Sequence, residues 1–195
     1  MALVRLHGQK ILAGVILLIA VGWHACWVTR GWNIPGMSGH EFRQVQTAVT
    51  VHAMKAEGFR LDYSTPILGK PWSIPFEFPL YQYVVARIST VGHLGEVDAG
   101  RWVSLSAFYL ALPALFLLLR TAAFSPVAAA LGTVPVLGAP VFLLYSRAVL
   151  IESTAFLASG WFLYWLTQYR LHRRAGQFAA MLLCGITAVL VKSTT

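Results

Sequence analysis

A chain of 195 residues with 57% hydrophobic and only 11% charged side chains has about half the charge of an average soluble domain, which excludes an ordinary water-soluble fold. The formal charge of +8 would suit a nucleic-acid binder, but the basic residues sit at the ends of apolar segments rather than in a patch with interleaved aromatics. Cys26 and Cys184 lie far apart inside apolar runs, without CxxC spacing, and read as small buried hydrophobes.

The chain reads as an all-α integral membrane protein. Lys10 and the apolar run Ile11 to Val28 have the order of a signal peptide, but the run is too long for one and no small-residue cleavage site follows, so it reads as a retained first span. Further runs long enough to cross about 30 Å of hydrocarbon are Trp102 to Leu119, Val127 to Tyr145, Ser153 to Thr167 and Phe178 to Val191. This predicts about five transmembrane helices.

A sixth run, Pro79 to Leu94, contains Arg87 and His93 and opens on Pro79, a good first-turn residue. Charge decides its role. If it does not cross, Arg5, Lys10, Arg120, Arg170, Arg173 and Arg174 gather on the cytoplasmic side without an acid among them, as the positive-inside rule requires. It is therefore predicted to be a juxtamembrane helix on the outer side.

Residues 29 to 101 then form a long outer loop of mixed charge, which suits a folded loop better than a loose tail. Within it, His40 to Glu57 carries Phe42, Val45, Val49, Ala53 and Ala56 at helical spacing and stops at Gly58, predicting a half-buried helix on the membrane surface. The turn from Tyr145 to Glu152 emerges on the same side, so Glu41 and Glu152 are expected at one membrane face. The last apolar run is followed at once by Lys192 and the end of the chain, so the 195 residues are expected to be the N-terminal part of a larger transmembrane module.

Four landmarks in order resemble the GT-C superfamily of membrane glycosyltransferases, which includes protein O-mannosyltransferases and aminoarabinose transferases. They are His40-Glu41 with Arg43 opening a first-loop helix, Pro79-Leu80-Tyr81 behind Glu77, Arg147 followed by Glu152 after the third span, and Val191-Lys192-Ser193 ending the fifth. The triplet Phe42-Arg43-Gln44 with Thr47 looks most like a bacterial branch that carries Trp-Arg-Gln here. The resemblance implies a GT-C fold that faces the outside of a bacterial plasma membrane. It also implies a sugar donor carried on polyprenyl phosphate, an acceptor glycan, lipid or protein, and contact with membrane lipids but not nucleic acid. The chain departs from the pattern where relatives carry Asp (His40), a phosphate-directed Lys (Phe78) and a second Asp (Glu152).

Transfer from a lipid phosphate needs a base for the acceptor hydroxyl and cations for the leaving phosphate. The resemblance makes Glu41 the favoured base, with His40 an alternative and Glu152 a second acid in contact with acceptor or sugar. Arg43, Lys70 and Arg147 are candidates for phosphate, while Gln44, Glu77, Tyr81 and Lys192 are further candidates for substrate contact. Each has a structural competitor. Ser38-Gly39-His40-Glu41 is also a capping box, Glu152 also suits a helix N-terminus, Arg147 can snorkel, and Lys192, Trp72, Tyr81 and Tyr83 can be interfacial anchors. His24 and His172 receive no role. No cofactor is expected. A divalent ion between the two acids, as in oligosaccharyltransferase relatives, lacks the aspartate-rich motif around Glu152.

Two other classes fit a polytopic chain. A transporter or flippase would show inverted repeats and broken helices, for which Gly132, Pro135, Gly138 and Pro140 are the best support. A catalytically inactive membrane subunit is suggested by His40 standing where relatives carry Asp.

Overall fold

The computed structural model describes residues 2–30, 32, 40–63, 65 and 77–192. Among the described residues the chain is entirely helical, in the order α1 (Ala2–Arg30), α2 (Glu41–Glu57), α3 (Leu80–Val91), α4 (Glu96–Thr121), α5 (Pro126–Gly138), α6 (Pro140–Tyr145), α7 (Glu152–His172) and α8 (Ala175–Val191). Two of these, α1 from His7 and α4, are long and apolar enough to cross a membrane.

Local chemistry sets the boundaries. Gly58 ends α2 with a positive φ of 82° and an extended ψ of −173°, a conformation that a glycine adopts without a Cβ penalty. Glu96 and Asp98 occupy the first turn of α4 and Arg120 its last, each sign matched to the helix dipole. Ser125 caps α5 by accepting from the Ala128 N–H, with Pro126 at the first helical position. At 12 residues α3 is about 18 Å long, too short to cross, in keeping with a juxtamembrane placement.

The run Val127 to Tyr145 is not one helix. It divides into α5 and α6 at Ala139, whose backbone is extended (φ −68°, ψ 129°), because the ring of Pro140 disfavours the helical region for the residue before it. The apolar stripe of α2 also differs from expectation in what it touches. The face turned into the protein is largely polar, with Gln44, Gln46, Thr47 and Thr50 buried beside Val51 and Met54. Phe42 and Val45 face outward, 62% and 45% exposed. A helix with its polar side inward and its apolar side outward suits a hydrocarbon boundary better than water.

α7 packs between α4 and α8, and α1 lies against α5. One core cluster joins Val51 of α2, Tyr81 and Val85 of α3, Ala99 of α4, Val149 and Val191. A second, centred on Phe108, Leu112 and Leu137, has Phe142 and Phe156 packed against it. The surfaces of α1 and α8 are lined with exposed Leu18, Ile19, Leu183 and Val189.

Candidate functional site

The turn between α6 and α7, residues 146 to 151, is the piece around which the polar side chains assemble. It is almost wholly buried, so its backbone groups must be satisfied from neighbouring elements. Gln44 of α2 accepts from the Val149 N–H at 3.0 Å. Ser104 of α4 donates to the Ala148 carbonyl at 2.6 Å, and Ser153 donates to the Tyr145 carbonyl at 3.1 Å. Tyr81 of α3 stands behind Ser104, with its hydroxyl 2.9 Å from the Ser104 oxygen and 3.0 Å from the Gly100 carbonyl. Burial pushes that phenol well above its usual range.

Gly100 is what lets the turn approach α4. A Cβ there would lie 2.6 Å from Val149 Cγ1 and 3.3 Å from the Tyr81 hydroxyl. Helices α2 and α3 are thus clamped to the turn, and the turn delivers Glu152 as the first residue of α7.

A cluster of charged and amide groups forms where these elements meet. Arg43 Nη2 pairs with Glu77 Oε2 at 3.1 Å, and Gln82 Nε2 donates to Glu77 Oε1 at 3.0 Å. The Tyr63 hydroxyl donates to the Glu77 carbonyl at 2.9 Å. Lys192, just past the end of α8, reaches Glu152 Oε1 at 3.5 Å. Burial pushes the Glu77 carboxyl above the usual carboxylate range; Arg43 and Gln82 oppose this, and the Glu152 carboxylate adds to it. Among the described residues, the buried acceptors Gln82 Oε1 and Glu152 Oε2 have no hydrogen-bond partner, an arrangement that costs about 1–3 kcal/mol per atom until a donor arrives.

The candidate residues divide three ways. Arg43, Glu77, Glu152 and Lys192 come together in this cluster. Gln44 and Tyr81, 4% and 1% exposed, stand in its wall and make internal hydrogen bonds to the turn and to α4. Arg147 points elsewhere, donating to the Val28 carbonyl at the end of α1 at 2.9 Å.

At the start of α2, His40 is left-handed (φ 52°) and makes no side-chain cap. Its ring lies 5.5 Å from that of Tyr145. Glu41 is the first helical residue and is exposed, without a hydrogen bond or ion pair among the described residues. The helix start therefore differs from a box capped by Ser38, since Glu41 is not at its third position. Ser38, Lys70 and Trp72 lie outside the described residues.

Sequence reasoning missed Gln82, Ser104 and His24. His24 is fully buried, with Nδ1 2.9 Å from the Tyr109 hydroxyl and Nε2 3.3 Å from Ser146 Oγ. The available signal was its place inside the first apolar run, where an ionisable residue is unusual enough to mark a partner or a function. Among the described residues no three His, Cys, Asp or Glu side chains converge as a metal centre would require.

An apolar groove of about 690 Å³ runs between α7 and α8, lined among others by Ser159, Phe162, Met181, Gly185 and Leu190. Gly185 keeps it open against Phe162, whose ring would lie 3.0 Å from an added Cβ. Of its lining residues, Leu190 is the nearest in sequence to Lys192, two positions before it.

No protein-family model, curated protein or solved structure matches the chain.

Proposed function

We propose that the protein is a membrane glycosyltransferase of the GT-C type, moving a sugar from a polyprenyl-phosphate donor to an acceptor on the extracytoplasmic side of a bacterial plasma membrane. The observation that carries this reading is a cluster that holds both cations and unpartnered acceptors, in a chain that also has an apolar groove between α7 and α8. A lipid-phosphate sugar has the matching parts. Its tail suits the groove, its phosphate suits the partly exposed Arg43 and Lys192, and its hydroxyls supply the donors that Gln82 Oε1 and Glu152 Oε2 lack. In this reading five segments cross the membrane, α5 and α6 together making the third, and α2 and α3 lie at the outer surface.

The acceptor hydroxyl must lose a proton as its oxygen attacks the anomeric carbon and the bond to phosphate breaks. Glu41 is the base that the family pattern suggests, with His40 beside it. Glu152 is the acid in the cluster with an unpartnered oxygen. The test is transfer of radiolabelled sugar from polyprenyl-phosphate donors in membranes containing the protein, the native chain against Glu41→Gln and Glu152→Gln at matched protein levels. Loss of transfer in Glu41→Gln assigns the base to the first loop, and loss in Glu152→Gln alone assigns it to the α7 turn. No transfer by the native protein with any donor overturns the reading.

The break between α5 and α6 favours a second reading, a flippase-like transporter, because interrupted helices are the usual place for a transport site. Lipid translocation into liposomes without any sugar transfer would select it over the first.

A further inference from the structure

The chain has seven carboxylate side chains, all of them among the described residues, and none of them pairs with Arg147. Glu77 serves Arg43, Glu96 serves His52 and Lys55, Asp62 serves Arg60 and Glu152 serves Lys192. Asp98, half exposed, lies 3.8 Å from Arg101. Neither Glu41 nor Glu57 forms an ion pair with Arg147, and no other acid does.

Yet Arg147 is partly buried, and the charge that acts on it is a second cation, Arg101. A desolvated guanidinium beside another of the same sign, with no carboxylate, is an unfavourable arrangement unless an anion completes it. Each guanidinium spends a donor on a main-chain carbonyl, Arg147 on Val28 and Arg101 on Trp32. A guanidinium carries five N–H donors, so each arginine keeps N–H groups beyond those it spends on main chain, and these match phosphate oxygens.

The surroundings indicate which anion. The Trp32 ring lies under Arg101, 5.8 Å from its guanidinium carbon, and against Trp102 at 4.8 Å. Arg30 lies over Trp27 at 4.9 Å. Trp27 and Trp102 are 50% and 48% exposed, at the ends of the two helices apolar and long enough to span a membrane. Tryptophan at the ends of such helices marks the headgroup level of a bilayer, where phosphate is the abundant anion.

We propose that Arg101 and Arg147, with Trp32 and Trp102 beside them, bind the phosphate of an anionic membrane lipid between the outer ends of α1 and α4. This site is separate from the Arg43, Glu77 and Glu152 cluster and does not depend on sugar transfer. The bound headgroup neutralises the two arginines and ties the end of α1 to the turn that carries Glu152.

The test uses the purified full chain in neutral detergent micelles, titrated with short-chain phosphatidylglycerol, short-chain phosphatidylcholine or inorganic phosphate, with thermal unfolding as the readout. Phosphatidylglycerol is expected to raise the melting temperature saturably and more than the other two. Its apparent affinity falls about tenfold or more in Arg147→Gln and in Arg101→Gln, the loss of charge-assisted hydrogen bonds, and falls less in Arg147→Lys, which keeps charge without the fork. Arg87→Gln, an exposed arginine elsewhere, leaves the affinity unchanged. If inorganic phosphate is as effective as phosphatidylglycerol, the lipid assignment is overturned. If the variants unfold earlier but keep native phosphatidylglycerol affinity, the arginines only cap α1 and the site is overturned. If Arg147→Gln does not fold, Arg101→Gln and Arg147→Lys carry the same decision.

Discussion

His24 shows how one side chain in an apolar helix can organise its surroundings. Its two ring nitrogens meet hydroxyls from α4 and from the α6 to α7 turn, and its ring stacks on Phe108 with centroids 5.0 Å apart. Both nitrogens are thereby satisfied in a place where water cannot serve. Glu77 is a buried acid under opposing influences. Its carboxyl is raised by burial even though Arg43 pulls it down, so the folded chain holds this proton more tightly than the unfolded chain. Its contribution to stability is fully present below the ordinary glutamate range and is lost as pH rises through the raised value. Glu77→Gln, fixed in the neutral form, should therefore flatten the decline in melting temperature across that window in detergent. A native profile as flat as the variant's would show that Glu77 does not titrate there.

At the scale of elements, the close approach of the turn to α4 depends on Gly100, whose missing Cβ leaves room for Val149. Gly100→Ala should push the turn outward and strain the Ser104 and Gln44 hydrogen bonds, at a cost of about 1–3 kcal/mol typical of overpacking. Thermal unfolding of the variant checks this, and an unchanged melting temperature would mean that the turn yields freely. The division between α5 and α6 has a similarly local cause, Pro140, although its consequence is larger. It splits the third apolar run into two helices, the second of which, α6, leads into the turn that packs on α4. The outward apolar stripe of α2 is likewise a property of the element, since its polar face is already occupied by contacts with α3 and α4.

For the whole molecule, the proposed five-span topology makes a directional statement. Single cysteines placed at Arg60 and His93, in a background lacking Cys26 and Cys184, should react with an impermeant thiol reagent added outside intact cells. Cysteines at Arg120 and Arg174 should react only after permeabilisation. The reverse pattern at Arg120 would mean that the segment from Pro79 to Leu94 crosses the membrane. In the proposed topology α2, α3 and the turn, which pack together, share the outer face.

The sequence by itself determined the helical class, the bounds of α2 and the short length of α3, because apolar run length, stop residues and flanking charge act locally and are written in adjacent residues. It also marked Arg43, Glu77, Glu152 and Lys192, as polar groups in an apolar chain. What it left open were partnerships across the fold. That Arg43 meets Glu77, that Lys192 meets Glu152, and that Gln44 and Tyr81 hydrogen-bond to the turn and to α4 follow from packing between helices distant in the chain. The lack of any carboxylate for Arg147 is of the same kind. Tertiary structure decided these matters, because hydrogen bonds and ion pairs depend on distances of about 3 Å, which local periodicity does not encode.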